Sequence, residues 1–197
     1  MPVPIDRNYA IEQMNLLILG GFRPPDEIAQ IIIEECFRPG EVTEADATWV
    51  GQEVARAWAA KVEDEGSWPA QTDVDKLAAA FATLSAGGIM GLHQAGVEPS
   101  DGLTEVYDEY AAAGSEASRI VGYCFYHQQD VERAIAGHGL LLAFGDIGGD
   151  PAKGVEIGRR IVAALEQSGL RPAWDGTIDR CIGIGLRWQK RYRPPLE

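Results

Sequence analysis

Gly122-Tyr123-Cys124-Phe125-Tyr126-His127, followed at once by Gln128-Gln129-Asp130-Val131-Glu132-Arg133, decides the fold class. The aromatic run belongs to a strand from Ile120 to Tyr126, and the polar run after it reads as a short helix from Gln128 to Ala136. A strand that opens directly into a helix belongs to a mixed architecture, and such junctions often carry the chemistry. This one brings a thiol, a phenol, an imidazole and a carboxylate to the join.

Downstream, Leu140-Leu141-Leu142-Ala143-Phe144 is apolar throughout, which predicts a central strand covered on both faces. Gly154 to Gln167 reads as a helix with Val155, Ile161, Val162 and Leu165 inward, closed by Gly169. Pro172-Ala173-Trp174 and the alternating Ile182, Ile184, Leu186 and Trp188 are the last strands, joined as a hairpin through Asp175-Gly176-Thr177. Upstream, Ile89 to His93 is a short strand, and Leu103, Val106, Tyr107, Tyr110 and Ala111 form the expected inward stripe of a helix.

The first part of the chain is helical. Arg7 to Leu19 stops at Gly20-Gly21, and Pro24-Pro25-Asp26-Glu27 opens a second helix that runs to Pro39-Gly40 with Ile28, Ile31, Ile32 and Cys36 inward. Thr43 with Asp46 forms a capping box ahead of Ala47, Val50, Val54, Ala57 and Trp58 at helical spacing. Thr72 caps one more helix, with Val74, Leu77, Ala78, Phe81 and Leu84 on one face and Gly87-Gly88 at its end. The class is therefore α+β: an N-terminal helical segment, residues 1–68, then a mixed β-sheet with helices packed on it, residues 69–197, the two expected to form one compact unit.

Composition narrows the functions. With 30 acidic against 17 basic side chains the net charge is −13, which disfavours nucleic acid and anionic membranes as partners and is compatible with a basic protein partner. No apolar run is long enough to span a bilayer and no signal peptide is evident, so a cytoplasmic location is expected. Cys36, Cys124 and Cys181 are scattered, with neither a disulfide framework nor a metal knuckle. Arg187, Lys190, Arg191 and Arg193 crowd the tail, either to cradle an anion or, the more economical reading, to clip onto carboxylates of the same chain.

Three places could carry chemistry. Strand alternation puts Cys124 and Tyr126 on one side and Phe125 and His127 on the other, so a Cys124/His127 dyad needs a bend. His127 with Asp130 and Tyr126 makes a candidate site with His127 as general base, while helix capping is the plainer role for His127. His93 meeting His127, with Glu98 or Asp101, would make a zinc or iron site if their strands end together. The loop Gly145-Asp146-Ile147-Gly148-Gly149-Asp150 lacks the phosphate-binding spacings, and its carboxylates repel phosphate, so it reads as a connection. No catalytic set is complete, and no cofactor is required.

Trp68-Pro69, Thr72-Asp73-Val74-Asp75-Lys76-Leu77, Gly122 to Asp130, Gly139-Leu140, Leu142-Ala143-Phe144-Gly145 and Trp174-Asp175-Gly176 together resemble an uncharacterised bacterial domain-of-unknown-function family, DUF6891. The resemblance covers most of the chain from Gly21 onward. It implies a cysteine-rich patch after the strand at Ile89–Leu92, where this chain has His93-Gln94-Ala95-Gly96 and so lacks any metal site such a patch makes. It implies no activity. The leading expectation is a non-enzymatic binding or regulatory protein with an acidic surface, of the immunity-protein or nuclease-regulator type. The alternative is a small enzyme or ligand-binding protein with its site at the sheet edge around His127 and Asp130.

Overall fold

The computed structural model describes residues 5–194 and divides the chain into two compact units, Met1–Ala70 with Gln189–Glu197, and Gln71–Trp188. The division falls beside Trp68-Pro69. The last residues group with the first unit, whereas the sequence reading ran the second region from 69 to the end.

The first unit is a helical core. Helix α1 (Arg7–Gly20) starts on the Asp6 carboxylate and ends at Gly21, whose φ of 74° only glycine adopts freely. A Cβ there would also lie 2.4 Å from the Lys190 carbonyl oxygen, so the returning tail passes directly over this turn. Helix α2 (Pro25–Glu34) stops short of the expected Pro39-Gly40. Glu34 and Glu35 place two carboxylates at its negative end, with no basic residue in the last turn to offset them. Helix α3 (Glu44–Glu65) opens on the Thr43/Asp46 capping box. Met14, Ile18, Ile28, Ile32, Val50 and Val54 fill the space between the three helices.

Main-chain hydrogen bonds and ring contacts hold the tail. The Arg191 guanidinium donates to the carbonyl oxygens of Glu65 and Pro69 at 3.3 and 3.1 Å and lies 5.4 Å from the Trp68 ring centre. Lys190 sits over Phe22, and Tyr192 meets Trp58 edge-on at 5.8 Å.

The second unit is a five-stranded mixed sheet in the order β1-β2-β3-β5-β4. Helix α4 (Asp73–Ala86) precedes β1 (Ile89–Leu92), and α5 (Pro99–Ala112) crosses over to the parallel β2 (Gly122–Phe125). Helix α6 (Gln128–Ile135), β3 (Leu140–Asp146), α7 (Pro151–Gln167), β4 (Pro172–Ala173) and β5 (Ile182–Ile184) complete it, with the remaining pairings antiparallel. One sheet face packs on α4 and α7. Gly91 lies under the Phe81 ring and Gly122 against Ile157, where a Cβ would come within 2.8 and 2.3 Å. The other face buries Phe125 with Ala95 and with Val106 of α5.

Three expectations change. The α5 stripe holds only at Val106: Gly102 faces inward with it, while Leu103 and Tyr107 are 37% and 45% exposed. Gly102 is the reason, since its missing side chain lets α5 close on the Phe125 ring and rotates the larger apolar groups outward. Strand β3 is central but not sealed on both faces: Leu140, Leu142 and Phe144 are buried, and Leu141 and Ala143 only partly. Helix α7 turns Ile157 and Gly158 inward with Ile161 and Leu165, leaving Val155 and Val162 on its flanks. Strands β4 and β5 do pair, through a longer connection in which Thr177 turns back on the Asp175 carboxylate.

Candidate functional site

The junction of β2 and α6 is built as a helix cap. The His127 main-chain N–H donates to Asp130 Oδ2 at 3.1 Å, and the Asp130 N–H donates to His127 Nδ1 at 3.4 Å. His127 Nε2 lies 3.2 Å from Asp130 Oδ2. Both side chains are buried, 8% and 7% exposed. Burial pushes the Asp130 carboxyl above its ordinary range, opposed by the His127 N–H, the His127 ring and Arg133. The imidazole and carboxylate thus satisfy each other and two helical N–H groups, which is the reciprocal arrangement of a capping box with His in the usual Ser or Thr place.

Tyr126 faces the opposite way and is wholly buried, with its phenol held protonated well above the usual range by burial. Its hydroxyl shares a 2.8 Å hydrogen bond with His93 Nδ1. His93 stacks on Phe81 at 4.6 Å, and Trp188 meets Tyr126 edge-on at 5.9 Å. The parallel register Leu92↔Phe125 explains the pairing: His93 comes level with Tyr126 on one face, and His127 falls on the other. The structure therefore joins His93 to Tyr126, and His127 to Asp130. Among the described residues no three His, Cys, Asp or Glu side chains gather as a metal centre requires.

The loop after β1 is fixed by backbone contacts. Ala95 N–H donates to the Tyr126 carbonyl at 2.9 Å, and Gln128 N–H to the Gly96 carbonyl at 3.1 Å. Gln94 has a φ of 52°, the one positive value outside glycine among the described residues. The glycine-rich loop after β3 is likewise self-contained: Asp150 caps α7 through the Ala152 N–H, and its own N–H donates to Asp146 Oδ2.

The thiols differ in access. Cys124 is buried completely and its pKa is pushed up to about 12 by burial. Cys36 and Cys181 are raised as well, by burial first and then by the carboxylates of Glu35 and Asp130 respectively. None has the cationic surroundings that activate a nucleophilic thiol.

Two features escaped the residue-by-residue reading: the outward apolar flank of α5, and a cleft between the α6–β3 turn and the end of β5. The signal for the first was Gly102 inside a helical pattern. The second depends on strand order.

Fold and site together define an α+β protein whose polar groups at the strand ends pair with one another, His93 with Tyr126 and His127 with Asp130. The chain belongs to the family described as a domain of unknown function, DUF6891, which matches residues 5–192. No curated protein and no solved structure matches it. Among the described residues, no helix is long and apolar enough to cross a membrane.

Proposed function

We propose that this is a non-enzymatic binding protein that docks a basic protein partner on the outer side of α5, in the manner of an immunity protein or nuclease regulator. One observation carries the reading. Helix α5 turns Leu103 and Tyr107 to solvent while carrying Asp101, Glu105, Asp108 and Glu109 and no basic residue at all. Val97 and Val121 are also exposed, at 52% and 43%. An apolar strip beside carboxylates suits a cationic partner: the charges steer encounter, and the apolar groups, Tyr107 above all, supply contact energy. The net charge of −13 adds to the steering.

The alternative, an enzyme working through His127, draws no support from the cap. Its ring nitrogens are both directed at Asp130, and the side chain is buried. A general base must reach a substrate proton.

Capture from extract on immobilised protein tests the docking reading, with wild type compared with a Leu103→Ser/Tyr107→Ser variant and an Asp108→Asn/Glu109→Gln variant. A basic protein held by wild type at low salt, released at high salt and lost from both variants supports it. If no captured protein depends on these positions, the reading falls.

A further inference from the structure

We infer that the second unit carries a separate site for a small oxyanion, a carboxylate or phosphate group, in the cleft at the ends of β3 and β5. The cleft has a volume of about 570 Å³, within the range of small-molecule sites. Arg133 from the last turn of α6, His138 from the α6–β3 turn and Arg187 beyond β5 line it, with Asp73 as its one carboxylate. Asp73 is already engaged: it accepts from the Arg187 main-chain N–H at 3.1 Å and from Lys76 at 2.8 Å. Neither the Arg133 nor the Arg187 guanidinium forms an ion pair among the described residues, although carboxylates outnumber basic groups across the chain.

In a protein of charge −13, unpaired guanidiniums have many acidic groups to fold onto. These two instead line one concave surface together with an exposed imidazole. Arg133 also offsets the carbonyl end of α6, but Arg187 lies outside any helix and has no such duty. The floor is small. Gly183 lies in β5 beside Leu141, and Gly139, at φ 74°, packs where a Cβ would meet the Ile184 carbonyl oxygen at 2.6 Å. Glycines at positions 183 and 139 keep that part of the lining low beside Leu141, and a planar fork is the donor that carboxylate and phosphate geometry fits. The position is at the carboxyl end of β5, beside the amino end of its antiparallel neighbour β3.

Titration of the full chain with sodium phosphate, and separately with succinate, tests this by amide NMR at constant ionic strength, with sodium chloride as control. Saturable shifts confined to the Gly137–Gly139 turn and the end of β5 support the site. Saturation by phosphate alone assigns a phosphoryl ligand, and saturation by succinate alone a carboxylate. Arg133→Gln and Arg187→Gln should each weaken binding about tenfold, as loss of a charged hydrogen bond does, with the remaining amides unmoved. The Leu103→Ser/Tyr107→Ser variant should bind as wild type, which separates this site from the α5 surface. Shifts absent with both anions, reproduced by chloride, or unchanged in both arginine variants would overturn it.

Discussion

His93 Nδ1 and the Tyr126 hydroxyl lie 2.8 Å apart, joining the residues that follow two neighbouring parallel strands. The bond ties an exposed imidazole to a phenol with no solvent contact, so it gives the buried hydroxyl its partner. Tyr126→Phe keeps the ring and removes the oxygen. It should cost about 1 kcal/mol, the net value of one such bond. In a double-mutant cycle with His93→Ala, measured by urea unfolding, the coupling should be of that size. Coupling near zero would mean that the contact does not hold in solution.

His127 acts through its ring nitrogen as a cap acceptor for the Asp130 N–H. Replacement by Ser or Asn, both good capping residues, keeps a cap acceptor but loses the Nε2 contact with Asp130 and the buried ring, so each should cost less than replacement by Ala. His127→Ala removes the acceptor and should cost about 1 kcal/mol. A ring with a catalytic duty would give a different order, with Ser and Asn no better than Ala in any activity found. Thermal unfolding of the three variants decides between the roles.

Much of this fold was written in local pattern. The capping boxes at Thr43 and Thr72 and the glycine stops at Gly21 and Gly169 are short-range devices, and each stands where its residues predict. The misread positions depend on what an element meets. The inward face of α5 is set by Phe125 arriving over Gly102, and the partial cover of β3 by what packs on its second face. The partner of His93 was within reach of strand alternation once β1 and β2 were known to be parallel neighbours, but that adjacency is not a local property. The cleft at Arg133, His138 and Arg187 was least legible, because residues far apart in sequence meet there only through the order β2-β3-β5.

Glycine substitutions in two helices should move stability in opposite directions. Gly51 in α3 has open space where a Cβ would go, so Gly51→Ala gains helix propensity and should stabilise by up to about 1 kcal/mol. Gly102 in α5 would place its Cβ 2.3 Å from the Phe125 ring, so Gly102→Ala must push the helix off the sheet. The overpacking, about 1–3 kcal/mol, outweighs the propensity gain. Urea midpoints for both variants check the pair. A stabilised Gly102→Ala would show that α5 does not pack on β2 as described.

Alkaline pH should weaken the second unit through Cys124. Its thiol ionises near 9.0 in an exposed chain, whereas burial in the folded protein holds the proton until about 12. Between those values the unfolded state binds fewer protons than the native state, so stability must fall as pH rises. Below 9.0 the contribution is fully present, and by about 12 it is gone. The slope for a single group is at most about 1.4 kcal/mol per pH unit. The buried phenol of Tyr126 acts in the same direction from a higher starting point. Cys124→Ala removes the thiol's part, so its urea midpoint should decline less steeply than that of wild type across the window. Reaction with a thiol reagent gives an independent reading: in the native protein Cys181, at the surface, should label and Cys124 should stay silent until the chain unfolds. Rapid native labelling of Cys124, or parallel pH profiles for wild type and Cys124→Ala, would show that this thiol is not sealed between β2 and the helices beneath it.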